Sequence, residues 1–314
     1  MKASKFFWLL IVLAGACALS LMSGPAGLSI PSVILDIRLP RTAAAVIVGA
    51  GLGLSGAIFQ SLLKNPLSDP YILGTSSGAT AAAVLCLSFG VERSSLVFYA
   101  MVFAGAFSAT FISYGVARSA RNLSDAGLVL SGIVVGSFIT ALVMLFLSLS
   151  KERSFSMLYF VMGGIYSAQA ELLAASALIV SAVLLVSFFS WRRLDLFSLG
   201  EEKAYHLGAS PAGTRLVFFA LASAATAGAV AIGGTIGFVG LMAPHIIRLA
   251  FGASNKTLLA ASALGGAAFL TFADTLGRTV AAPAEIPSGV ICALIGAPFF
   301  LWLLWKSSRG AALS

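Results

Sequence analysis

The feature that most limits what this chain can fold into is the recurrence of apolar runs long enough to cross a lipid bilayer. A helix needs about 20 predominantly apolar residues to span the hydrocarbon core. Ten such runs follow one another, at residues 5–23, 42–62, 71–89, 95–117, 124–149, 171–190, 213–232, 236–252, 257–274 and 286–305. Only helices and closed barrels satisfy their backbone groups in lipid, and runs of this length select helices. The expected fold is an all-α polytopic membrane protein of about ten transmembrane helices. The connections are too short for a soluble unit, which leaves one transmembrane domain over residues 1–314. The 32 glycines suit helices that pack closely in lipid.

Met1-Lys2-Ala3-Ser4-Lys5 and Cys17 behind Ala14-Gly15-Ala16 resemble a cleavable leader. The first run is nevertheless long enough to span, and further spans follow it, so it is expected to stay. Net charge is +8, and its distribution speaks of topology. With the N-terminus inside and ten spans, the inner connections carry most of the 19 Lys and Arg residues. Only Arg38, Arg41, Arg93, Lys151, Arg153 and Arg278 fall outside. That bias follows the positive-inside rule, places both termini in the cytoplasm and leaves no reason to invoke nucleic acid.

The runs are nearly free of ionisable groups; charged residues make up 10% of the chain against 59% hydrophobic. All 11 acidic residues lie in connections or within about a turn of a run's end. An ion-coupled secondary transporter, the runner-up reading, needs intramembrane carboxylates around a broken helix. An intramembrane enzyme needs an assembled nucleophile, acid–base pair or metal set, and none is assembled. Cys17, Cys86 and Cys292 sit in apolar runs without ligand spacing. Gly51-Leu52-Gly53-Leu54-Ser55-Gly56 fits a dinucleotide fingerprint, but inside an apolar run it reads as helix packing. Gly49 with Gly53, Gly132 with Gly136 and Gly233 with Gly237 read the same way. There is no P-loop motif. No catalytic residue, metal or cofactor is expected, and energy for transport must come from another polypeptide.

Three segments break the monotony. Asp36-Ile37-Arg38-Leu39-Pro40-Arg41 precedes the second span on the outer face, with Pro40 suited to a helix entry. With Arg278 at the outer end of span nine, Arg38 and Arg41 form a basic rim for an acidic partner. As surface cations they are expected to be dispensable for folding. Gly200 to Gly208, with Glu201, Glu202, Lys203, Ala204 and Leu207 between, reads as a short cytoplasmic helix with an acidic first turn and a glycine stop. Pro244, inside the short eighth run, frees backbone groups that need local partners; His245 is a candidate partner, in a structural role.

Arg38-Leu39-Pro40-Arg41, Asn65-Pro66-Leu67, Asp69-Pro70, Leu73-Gly74, Met162-Gly163-Gly164 and Gly200-Glu201 with Ala204, Leu207 and Gly208 together resemble the FecCD permeases. So do Gly237-Phe238 with Pro244-His245 and Arg248, Asp274 with Arg278, Glu285-Ile286-Pro287, and Gly296 with Pro298 and Phe300. The matches run in order from about residue 36 to 305. These permeases are the membrane subunits of type II ABC importers for ferric siderophores, haem and cobalamin. The resemblance implies a homodimer in the bacterial inner membrane, two separate ATPase subunits inside and a soluble substrate-binding protein outside. It assigns Arg38, Arg41 and Arg278 to docking of the binding protein. It assigns Gly200, Glu201, Glu202, Ala204, Leu207 and Gly208 to coupling with the ATPase, and Asp125 and Ala126 to the cytoplasmic gate. An acid and an alanine stand there in place of the family's small polar residues. An iron chelate is the expected cargo, ferric siderophore first, then haem or cobalamin.

Overall fold

The computed structural model describes residues 2–24, 31–120, 124–149, 154–165, 169–208 and 210–311; Arg121, Lys151 and Arg153, counted above among the charges, lie outside them. Every regular element among the described residues is helical. In order these are α1 (Lys2–Met22), α2 (Leu39–Leu62), α3 (Thr75–Ser88), α4 (Leu96–Ser119), α5 (Asp125–Leu149), α6 (Ser154–Val161), α7 (Ala170–Phe189), α8 (Trp191–Ser198), α9 (Glu201–His206), α10 (Pro211–Gly233), α11 (Val239–Phe251), α12 (Asn255–Thr279) and α13 (Ser288–Ala311). A helical turn at Pro31–Val33 and a π-turn at Ile34–Arg38 lead into α2 without a break.

Seven of these are long and apolar enough to cross a membrane: α1, the continuous Pro31–Leu62 helix, α4, α5, α7, α10 and α12. The three remaining runs hold the shorter apolar helices Thr75–Ser88, Val239–Phe251 and Ser288–Leu303. Local chemistry shortens two of them. Before α3, Asn65 Oδ1 accepts from Leu67 N at 2.9 Å and Asp69 Oδ1 from Tyr71 N at 2.9 Å. These bonds and Pro70 commit the chain to a turn that closes on Gly74 at φ 84°. Before α11, α10 stops at Gly234 (φ 68°), and the chain re-enters a helix only after Phe238, which is itself left-handed at φ 68°. That break separates Gly233 from Gly237, so the expected packing pair is not one helical face. A Cβ on Gly233 would press on Val48, whereas Gly237 faces open space.

The core is built around α2, which packs against α12, α10 and α11. Apolar side chains have no water to escape in lipid, so contact is gained by letting backbones approach. A Cβ on Gly49 would lie 2.3 Å from Gly266 O, and one on Gly266 2.2 Å from Gly49 O. Gly53 meets Ser262 O and Gly56 meets Gly240 O just as closely. The dinucleotide-like glycines are thus helix-crossing positions, as the sequence implied. Gly78 and Gly105 join α3 to α4 in the same manner, and Gly132 of α5 sits on the Ile72 carbonyl, while Gly136 is only in ordinary contact. Cys86 and Cys292 are buried and Cys17 half-buried. By contrast α1 and α5 bury only 11% and 22% of their apolar windows. Their Phe7, Trp8 and Phe138 are exposed.

Candidate functional site

At one end of the bundle Arg38, Arg41 and Arg278 converge, but Arg38 and Arg278 are not surface cations. Arg38 and Arg278 are each 3% exposed. The π-turn aims Arg38 back at α1, where Nη1 donates to Leu21 O at 2.9 Å, and Gly24 covers its guanidinium. Arg278 reaches Ser20 Oγ of α1 at 2.7 Å and pairs through Nε with Asp274 Oδ2 at 3.0 Å, one helical turn away. Arg41 bridges Asp274 Oδ1 at 3.1 Å and Glu285 Oε2 at 2.8 Å. Ser288 Oγ donates to the same Asp274 at 2.8 Å.

This corrects the placing of Arg38 and Arg278 at the surface, and it adds a residue whose role the sequence reading missed. Asp274 is 1% exposed and ties α2, α12 and the start of α13 together. A buried carboxylate is tolerated only when such partners surround it. Arg41, with 13% of its side chain exposed, and Glu285, with 33%, form the accessible edge of the cluster.

In the middle of the bundle, Pro244 sits inside α11 and is buried. Its missing N–H leaves the Gly240 carbonyl without its helical donor. The partner is Gln60 of α2, whose Nε2 reaches Gly240 O at 3.4 Å and Leu241 O at 3.3 Å. Gln60 Oε1 in turn accepts from Arg248 Nη2 at 3.3 Å. His245 therefore does not fill the role offered to it. Neither ring nitrogen has a hydrogen-bond partner among the described residues, and the imidazole packs edge-on against Phe299 and Phe300.

A cavity of about 520 Å³ lies between α3 and α5. Ser76, Ser77, Thr80, Ser137, Thr140 and Thr235 give it a hydroxylated wall, and none of the described residues that line it is charged. Several of these hydroxyls donate to their own helix, Ser77 to Gly74 O, Thr80 to Ser76 O and Thr140 to Gly136 O. They therefore present oxygen lone pairs, not protons, to the cavity.

At the opposite end, α9 forms as the sequence implied, a six-residue helix between Gly200 (φ 109°) and Gly208 (φ 82°). A Cβ at either glycine would meet nothing, so it is the backbone conformation, closed to other residues, that calls for glycine. Ala204 is fully buried and anchors the helix, while Glu201, Glu202, Lys203, Tyr205 and Leu207 are exposed. Leu207 and Tyr205 are 59% and 70% exposed, apolar surface with no cover within the chain. Asp125 opens α5, where a carboxylate favours the helix dipole. Ser124 caps that helix by accepting from Gly127 N at 3.1 Å, and Ala126 lines a small cleft with Asp125 and Asn65. Arg215 of α10 joins the two groups: its Nη2 donates to Asp125 Oδ1 at 3.1 Å and to Glu201 Oε1. No group of three or more His, Cys, Asp or Glu residues able to hold a metal occurs among the described residues.

An all-helical bundle in which seven helices are long and apolar enough to cross a membrane has the architecture of a multi-pass membrane protein. The FecCD transport family matches residues 6–306, and the chain belongs to that family. It is 39% identical over 280 residues to the hemin transport system permease protein of Yersinia pestis, covering 87% of this chain and 83% of that one. To the cobalamin import system permease protein of Halobacterium salinarum it is 38% identical over 280 residues, covering 87% and 73%. Among solved structures, a metal-chelate type ABC transporter in an inward-facing conformation superposes with a TM-score of 0.85 at 32% identity, covering 98% of this chain and all of that one.

Proposed function

We propose that this chain is the membrane permease subunit of an ABC importer that carries a metal chelate across the bacterial inner membrane. Its cargo is a ferric siderophore, haem or a corrinoid, with ferric siderophore first. The observation that carries the reading is membership in the FecCD transport family over residues 6–306. In this reading ten helices cross the membrane, the three short ones included, and both termini lie inside. Two copies pair around the pathway, and two ATPase subunits hydrolyse ATP beneath them. The sparsely buried, apolar α5 supports a partner on that face, and the uncharged, hydroxylated cavity between α3 and α5 supports passage of a bulky chelate without tight capture.

A soluble binding protein docks on the outer face. Arg41 offers its guanidinium at the rim, while Arg38 and Arg278 hold that rim from beneath. Inside, Gly200, Glu201, Glu202, Ala204, Leu207 and Gly208 form the element that the ATPase grips. Asp125 and Ala126 gate the inner mouth. Pro244 and His245 shape α11. Deleting Glu201–Leu207 from the full-length protein is the test. Loss of the ATPase from a pull-down, with the variant still monodisperse in detergent, is the expected outcome; an ATPase that stays bound contradicts the reading.

A further inference from the structure

In the sequence Arg215 is one inner-face cation among many. In the structure its side chain touches both the proposed gate and the proposed lever. It stands in the first turns of α10, a helix started by Pro211 and capped by Ser210 Oγ, which accepts from Gly213 N at 3.3 Å. Arg215 is 6% exposed. One of its nitrogens, Nη2, serves Asp125 at 3.1 Å and Glu201 together, and its guanidinium lies 5.5 Å from the centroid of the Phe197 ring of α8. The two acids differ from it in setting: 33% of the Asp125 side chain and 49% of the Glu201 side chain are exposed. Tyr114, Ser124 and Pro211 close a cleft of about 330 Å³ around the junction.

We infer that Arg215 is a positioning residue that transmits displacement of α9 to the first turn of α5. The inference rests on the coupling and gate roles proposed above. A buried guanidinium is costly to leave without a counter-charge, whereas either half-exposed carboxylate is released into water at little cost. The cation therefore holds its place, and the acids share it. A movement of α9 that withdraws Glu201 leaves Asp125 as the remaining acid and tightens the hold on the start of α5; a movement that presses Glu201 inward loosens that hold. The guanidinium is planar and its donors are fixed in direction, so small carboxylate shifts change the sharing steeply.

The test uses the complete reconstituted complex of permease, ATPase and binding protein, and reads chelate imported per ATP hydrolysed. Arg215→Gln is expected to lower that ratio about tenfold, within the range of ordinary allosteric coupling, with ATPase still bound; Arg215→Lys should recover part of it. Glu201→Gln is expected to slow import while hydrolysis continues, and Asp125→Asn to let chelate leak without nucleotide. The Arg215→Gln/Asp125→Asn double variant should fare no worse than Arg215→Gln alone. An unchanged ratio in Arg215→Gln, or strictly additive losses, overturns the inference. Should Arg215→Gln fail to assemble, the two exposed acids carry the test, and equal effects of Glu201→Gln and Asp125→Asn would count against it. If the unmodified complex shows no ATP-dependent import, the proposed function fails; if it imports normally and these variants match it, only the role of Arg215 fails.

Discussion

Removing the Asp274 carboxylate should cost more than any other single change at the outer face. Asp274→Ala leaves Arg278, 3% exposed, with the neutral Ser20 hydroxyl as its remaining side-chain partner from another helix. Arg41 keeps Glu285, so one buried cation is orphaned, not two. Breaking a buried pair from one side costs about 3–5 kcal/mol, and the buried Ser288 hydroxyl loses its acceptor for about 1 kcal/mol more. Asp274→Asn keeps one acceptor oxygen for Ser288 but also removes the counter-charge and turns an amide NH2 toward arginine donors, so it too should be destabilising. The assay is reversible unfolding of the detergent-solubilised protein in increasing denaturing detergent. The diagnostic variant is Asp274→Ala/Arg278→Met, which removes both charges and replaces the cation with an apolar chain of similar length. It should be more stable than Asp274→Ala alone, because the uncompensated charge is gone. Wild-type stability in Asp274→Ala, or a double variant whose losses simply add, would refute the view of this cluster as an internal clasp.

Other outcomes follow from the remaining geometry. Gln60→Leu should destabilise the protein by about 1–3 kcal/mol, since the Gly240 carbonyl loses the donor that replaces the missing N–H of Pro244. Adding Pro244→Ala, which restores the helical N–H, should recover part of that loss in the same unfolding assay. Arg41→Glu should weaken association with the binding protein at low ionic strength and less so at high salt, as surface plasmon resonance would report. It should also lower stability, because it opposes Asp274 and Glu285 with a like charge.

The long helices were legible because twenty apolar residues in lipid have few alternatives. The short ones were legible as apolar runs with their breaks near residues 63–70 and 233–235, but the backbone conformation of those breaks was not. The stop at Gly234 and the left-handed Phe238 are set by packing on neighbouring elements, which periodicity does not report. The buried outer clasp was hidden by a boundary. Ending span nine at residue 274 puts Asp274 at a helix end, whereas α12 runs on to Thr279 and carries both Asp274 and Arg278 inside. The Asp-x-x-x-Arg spacing was the signal available for it. Arg215 was obscured in the same way, since α10 starts at Pro211, earlier than the apolar run. Pro244 announced that a carbonyl would need a donor; that the donor comes from Gln60, far away in sequence, is a fact of tertiary packing. The glycine-hinged α9 was readable because two left-handed turns and an acidic first turn leave a local signature.

On the proposed function, the chain contributes a path and a lever, and work is done on it from outside. Chelate uptake into proteoliposomes measures this directly. Vesicles holding the permease with its ATPase and binding protein should accumulate chelate when ATP is supplied, and vesicles holding the permease alone should accumulate none under any proton or sodium gradient. Gradient-driven accumulation by the permease alone would contradict the account.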